Sequence, residues 1–384
     1  MYCNVYDGRR RLLLRQGYVI NSQTQIDAVV GRGVFFIFNE EDITKFIKQV
    51  RPFSDVDSLE AENELSLFIG SGLHGPIPKR SPFELIDEAH SRLETLYSAK
   101  DPGKNLPATV GRLCRLIQQA CHVDKDASLS TILLQQEGRY SVKHSIHTAI
   151  TCEVVLKQMG YTPRERLSIL AAGLTMNIAM SQLQDELFFQ KEKPTEEQQE
   201  KIKAHLYEGV KILLLSGVSD PLWVKTVLHH HEFPDGTGYP QKLQGEALDE
   251  TSRILTIADI YTAKVAGRAY RKPMPPNVAL KEIFCRDRGR NVDMDLSHLL
   301  IKEMGIYPPG SFVRLENGEI AVVTHSGEKA NTPIVCSIVR PNGDLYLNPK
   351  FRESSDKLYT IKEVISPADT RLSVNRCQLW GYGA

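Results

Sequence analysis

The hydrophobic pattern of this chain changes period along its length, and that change limits the architecture more than any single residue does. From 83 to 305, apolar residues recur at three- and four-residue spacing, as in helices with one buried stripe. Phe83-Glu84-Leu85-Ile86 leads into Leu93 and Leu96-Tyr97, and helical segments follow over 110–121, 128–136 and 140–159, the last closed by Gly160. Thr162-Pro163-Arg164-Glu165 supplies an N-cap, a first-turn proline and a capping glutamate together. The helix it opens is apolar nearly all round (Leu167, Ile169, Leu170, Ala171, Ala172, Leu174) and is expected at the centre of a bundle. Thr195-x-x-Gln198 opens a helix carrying His205, and 224–231 forms another.

After Pro308-Pro309-Gly310 the period becomes two. Asn317-Gly318 and Asn342-Gly343 each separate two apolar runs, which predicts two hairpins with type I′ turns and a small antiparallel sheet over 306–384. Residues 1–70 read as a small α+β domain. They show a hairpin at Asp7-Gly8, a helix capped by Ser22 and closed by Gly31, and a strand over 34–38. Gly72, Gly75, Pro76, Pro78 and Pro82 mark 71–82 as a linker. The expected fold class is mainly α: an N-terminal α+β domain, a helical bundle over 83–305 and a C-terminal β subdomain.

Lys+Arg and Asp+Glu both total 47, so no net field attracts a nucleic acid polymer or an anionic membrane. No apolar run is long enough to span a bilayer. The N-terminus has no signal-peptide core, and the seven cysteines form no Cys-x-x-Cys pair. A cytoplasmic chain with reduced thiols is expected.

The chemistry concentrates in 228–240, Leu-His-His-His-Glu-Phe-Pro-Asp-Gly-Thr-Gly-Tyr-Pro. Consecutive histidines share one site only at a helix end, where the backbone leaves helical geometry, and the glycines beside them let the backbone approach a ligand closely. His230-His231-Glu232, Asp235-Gly236 and Gly238-Tyr239-Pro240 resemble the signature of the HD-GYP family, and the similarity runs from about Tyr140 to Arg271. HD-GYP proteins are a branch of the HD-superfamily metal phosphohydrolases that hydrolyse cyclic di-GMP. The resemblance implies an HD-superfamily bundle and metal ligands at His144, His205, His230, His231 and Asp259. It also implies a ligand-facing segment at Arg268, Tyr270 and Arg271, and a loop of Asp235, Gly236, Gly238, Tyr239 and Pro240 that contacts nucleotide or a GGDEF-type diguanylate cyclase. By chemistry alone a lone histidine on a helix face is more often a hydrogen-bonded core or surface residue than a ligand, and Asp259 is equally a cap or salt-bridge partner.

The family's adjacent His-Asp and following Gly-Lys belong on the helix opened by Pro163. Here those positions fall on Met176-Asn177 and Ala179-Met180. Two dications roughly 3.5–4 Å apart repel by on the order of 20 kcal/mol at an effective dielectric of about 20, and a shared carboxylate makes that tolerable. Asn177 offers an uncharged oxygen, and Met176 a thioether that suits hard or borderline ions poorly. Met176, Ile178 and Met180 read as core packing. His205, His230 and His231 suffice for one zinc-like ion, so the expected cofactor is a single divalent transition metal (Zn, Fe or Mn), with no organic cofactor. The resulting expectation is a catalytically silent HD-GYP protein that binds cyclic di-GMP or a partner, as a monomer or homodimer. The alternative is a weak metal-dependent phosphodiesterase working from a mononuclear site.

Overall fold

The computed structural model describes residues 5–7, 12–14, 34–36 and 43–44, and from residue 80 onward all but 100–101, 104, 136, 270, 287–292, 367–371 and 383–384. The chain divides into two compact units, Met1–Arg80 and Ser81–Ala384. In the first, β1 (Val5–Asp7), β2 (Leu12–Leu14) and β3 (Val34–Phe36) form an antiparallel sheet in the order β2-β1-β3. The strands meet the hairpin and strand expectations in part. The Ser22-capped helix and residues 71–79 of the linker lie outside the described residues.

The second unit opens with α1 (Pro82–Ser98), α2 (Leu106–Val123), α3 (Lys125–Leu134), α4 (Tyr140–Gln158) and α5 (Pro163–Thr175). Then come α6 (Ser181–Phe189), α7 (Glu196–Leu215), α8 (Pro221–His229), α9 (Glu250–Ala266), α10 (Pro276–Arg286) and α11 (Met294–Met304). Side chains at the N-termini explain most of these starts. Ser81 with Glu84, Thr162 with Glu165 and Thr195 with Gln198 form capping boxes, and Asp124, Asp220 and Asp249 cap α3, α8 and α9. Two boundaries move accordingly. Pro82 is the first residue of a helix rather than the end of a linker, and the segment expected to start at Ser128 starts at Lys125 because Asp124 is its cap.

As the apolar pattern predicts, α5 is central, with Ile169 to Thr175 buried. Gly173 faces α4, where a Cβ would make ordinary contact 3.5 Å from the Cα of Ala149. The helix ends at Thr175. A short 3-10 turn, Ile178–Met180, then carries the chain into α6.

Beyond the bundle, β4 (Phe312–Leu315), β5 (Ile320–His325), β6 (Ile334–Val339), β7 (Leu345–Glu353) and β8 (Ile361–Ile365) form an antiparallel sheet in the order β7-β6-β5-β4-β8. The hairpins fall where Asn-Gly placed them, but their turns are not type I′. Lys242 is the one non-glycine residue with positive φ among the described residues, so Asn317 and Asn342 stay right-handed and only Gly318 and Gly343 cross over. The Gly318 N–H donates to the Leu315 carbonyl and the Leu315 N–H to the Glu319 carbonyl, making three-residue loops closed by a left-handed glycine. A final short helix, α12 (Arg376–Trp380), brings Leu379 and Trp380 against Phe83, Ala127, Phe312 and Cys336, joining sheet and bundle in one core. The sequence pattern did not show β8 or α12.

Candidate metal centre and nucleotide loop

His205 lies on α7, and His230 and His231 follow directly on the end of α8. Their ligand nitrogens all lie within 4.8 Å of one another. His230 is the C-cap of α8 with φ −69° and ψ −5°, and the next residue already leaves the helix, which lets both rings turn toward His205. Ring centroids are 5.3 Å apart for His205 and His230, 5.2 Å for His205 and His231, and 4.2 Å for His230 and His231.

The tautomers are set by the backbone. His230 Nδ1 lies 2.7 Å from the Val227 carbonyl, and His205 Nδ1 meets the Ile202 carbonyl. A carbonyl only accepts, so both Nδ1 atoms carry the proton and both Nε2 atoms carry a lone pair. Those Nε2 atoms face each other at 3.5 Å. Burial pushes His205 down to about 3, assisted by His230, and pushes His230 and His231 below the ordinary histidine range as well. Three neutral imidazoles with converging lone pairs are the donor set a zinc-like ion takes, with backbone-anchored Nδ1 atoms holding the rings in place. The residues fit a single divalent ion.

His144 and Asp259 form a pair beside this triad, and the Asp259 carboxylate acts on all three triad histidines. His144 Nε2 donates to Asp259 Oδ1 at 2.7 Å, and Thr262 Oγ1 lies 3.4 Å from His144 Nδ1. Burial raises the Asp259 carboxyl, but the hydrogen bond and charge of His144, then the fields of His231 and His230, outweigh it. The group is held well below the usual carboxylate range. The five expected metal residues thus form a triad and an adjoining hydrogen-bonded pair.

At the positions of the expected His-Asp, Met176 is fully buried and Asn177 nearly so. Asn177 Oδ1 has no hydrogen-bond partner. Only Met176 is core, however. Ile178 and Met180 are half-buried and line a cleft of about 520 Å³ together with Ser181, Lys201, His205 and Glu208, so the reading of all three as core packing is corrected. The 3-10 turn after Asn177 rotates them out of the helical stripe.

The loop after the histidines is built on Glu232. Its carboxylate is buried and accepts from the backbone N–H groups of Gln241, Lys242 (2.9 Å) and Leu243 (3.1 Å). Nothing local in the sequence marks this role, because the partners of Glu232 lie nine to eleven residues downstream. Gly238 is obligatory in this packing, because a Cβ there would fall 2.5 Å from both the Glu232 Cα and the His231 carbonyl oxygen. Gly236 takes φ 76°, a backbone conformation that favours glycine, and packs beside the Gln244 side chain. Asp235 Oδ1 accepts from the Thr237 N–H and hydroxyl, closing an Asx turn. Tyr239 precedes a cis peptide to Pro240 and stacks on His231 (5.0 Å, 22°), so one ring face is already used.

Arg268 and Arg271 pair through their backbones. The Arg268 guanidinium sits 5.8 Å over the Tyr140 ring, and Arg271 Nη2 donates to the Ala263 carbonyl. Neither arginine lines the cleft beside His205. Tyr270 lies outside the described residues.

This arrangement has relatives. The HD domain family matches residues 124–296. Residues 124–296 are an HD domain. The cyclic di-GMP phosphodiesterase PA4108 of Pseudomonas aeruginosa is 28% identical over 55% of this chain and 50% of its own. The cyclic di-GMP phosphodiesterase PdeB of Borreliella burgdorferi is 28% identical over 53% of each chain. The 3'3'-cGAMP-specific phosphodiesterase 1 of Vibrio cholerae is 25% identical over 64% of this chain and 58% of its own. The chain spans about half the length of these relatives. In the HD domain the histidine triad comes from α7 and the end of α8, and the neighbouring His144–Asp259 pair from α4 and α9. Among the described residues no helix is long and apolar enough to cross a membrane.

Proposed function

We propose that this chain is an HD-GYP protein of cyclic dinucleotide signalling that binds nucleotide or a partner without hydrolysing it. In this reading His205, His230 and His231 hold one divalent ion, and residues 1–70 are an accessory domain. The observation that carries it is the pairing of a complete histidine triad with an uncharged Asn177 oxygen and a Met176 thioether where a multinuclear centre needs an anionic bridge. An ion in the triad supplies Lewis-acid polarisation of a phosphate oxygen. The protein's own groups then divide the work. Glu232 holds the loop, and the His144–Asp259 pair places a carboxylate beside the triad. Arg268 and Arg271 offer guanidinium charge to phosphates. Cyclic di-GMP is the expected ligand, because the relatives named above act on it or on cGAMP. The Gly-Tyr-Pro loop is the surface offered to a GGDEF-type cyclase, and a homodimer is compatible with the same use.

The triad itself favours a second reading, a weak metal-dependent phosphodiesterase working from a mononuclear site. Calorimetry with cyclic di-GMP, alongside turnover assays in Mn, Fe and Zn, separates the two. Binding without turnover supports the first. Turnover that disappears in His230→Ala supports the second.

A further inference from the structure

The three rings of the triad are not held alike. His205 and His230 each direct Nδ1–H at a backbone carbonyl, that of Ile202 and that of Val227, which fixes both the tautomer and the turn of the ring. Among the described residues no protein group hydrogen-bonds a ring nitrogen of His231. A metal-binding histidine almost always has its second nitrogen anchored, so His231 departs from the usual arrangement. The torsion that turns an imidazole is broad and roughly two-fold, and an unanchored ring presents either nitrogen. Something other than a hydrogen bond has to choose.

Tyr239 is placed to do so. Its ring stacks on that of His231, 5.0 Å between centroids and 22° between planes. Among the described residues the other rings against His231 are those of His205 and His230, which belong to the triad themselves. The backbone ties the same two residues, the Tyr239 N–H donating to the His231 carbonyl at 3.2 Å. The loop is fixed on both sides of this contact. Gly238 packs on the backbone of His231, Glu232 and Phe233 with no room for a Cβ, and the Glu232 carboxylate accepts from the N–H groups of Gln241, Lys242 and Leu243. We propose that Tyr239 is the positioning residue of His231, so that the Gly-Tyr-Pro loop and the metal centre form one coupled unit. An ion at the triad orders the loop, and the loop in turn raises the affinity of the triad for the ion. Linkage makes the two effects equal in size. The proposal rests on the reading of the triad as a single-ion site and says how that site is regulated. The contact is ring to ring, so the Tyr239 hydroxyl has no part in it.

The test is the zinc affinity of the full chain, read by competition with a chromogenic chelator in a double-mutant cycle. Tyr239→Ala is expected to weaken zinc about fivefold or more, the size of a lost ring stack, and Tyr239→Phe to stay within about twofold of the parent. In a His231→Ala background, Tyr239→Ala should change the remaining affinity by less than about twofold, whereas a residue that only supported the fold would weaken both backgrounds alike. Hydrogen exchange gives a second readout on the parent chain. Zinc should slow exchange at the Tyr239 amide more than in α10 and α11, which carry no triad residue, and this extra protection should vanish in His231→Ala. A parent chain that takes up no zinc would overturn the single-ion reading, and the coupling with it. Zinc binding by the parent with unchanged affinity in a folded Tyr239→Ala protein, an equal loss in both backgrounds, or exchange at Tyr239 that ignores zinc would overturn the coupling alone. Should an alanine variant fail to fold or to bind measurably, the exchange measurement on the parent decides.

Discussion

The Nε2 atoms of His205 and His230 face each other at 3.5 Å, each ring donating a hydrogen bond from its Nδ1–H to a backbone carbonyl three residues earlier in the chain. Two lone pairs at that distance repel unless a cation lies between them. A divalent ion should therefore stabilise the fold. At a free concentration one hundred times its Kd the gain is about 2.7 kcal/mol. Thermal unfolding of chelator-treated protein with and without zinc measures it. His230→Ala should lose the zinc-dependent rise in Tm while keeping helical content.

Asn177 is where a missing charge can be put back. Its Oδ1 is buried without a partner, so Asn177→Asp changes charge with almost no change in shape. We expect the variant to bind zinc at least tenfold more tightly than the parent, a gain of about 1.4 kcal/mol. In metal-free buffer it should be less stable than the parent, because a buried carboxylate lacks compensation. Competition with a chromogenic chelator reads the affinity. An unchanged affinity would place Asn177 outside the ion's reach.

Glu232 anchors the loop through three backbone N–H groups. Glu232→Ala strands three backbone N–H donors and should cost about 2 kcal/mol or more in urea unfolding. Gly238→Ala should destabilise too, since its methyl group would meet backbone atoms at 2.5 Å. Neither substitution removes a nitrogen from the triad, so zinc stoichiometry should stay at that of the parent.

His90 links stability to pH. Burial, then the charges of Lys143 and Arg376, lower its pKa from 6.5 to about 4. The unfolded chain binds this proton near pH 6.5 and the folded chain only near pH 4. Between those values the unfolded state carries more protons, so the contribution of His90 to stability falls as pH falls, by on the order of 3 kcal/mol in total, and levels off below about pH 4. His90→Leu should flatten that part of the profile in denaturant titrations at fixed pH.

The elements of this chain were legible wherever a local signal wrote them. Thr162–Glu165 and Thr195–Gln198 open helices as their capping chemistry requires, and the all-apolar face from Leu167 to Leu174 does mark the central helix. The histidines at 205, 230 and 231 converge, as a ligand set from separate helices would. Features resting on distant or subtle geometry were not legible. The Glu232 anchor joins residues nine and more positions apart, and the hydrogen bond between His144 and Asp259 depends on how α4 and α9 pack. The turn type at Asn317-Gly318 turned on one extra loop residue, which Gly318 alone absorbs in the left-handed region.

The most direct test is the metal content of protein purified without chelators, measured by elemental analysis on the same sample that is assayed for cyclic di-GMP hydrolysis. At most one divalent ion per chain and no turnover is the predicted result. Two or three ions per chain, or turnover abolished by His230→Ala, would contradict the account.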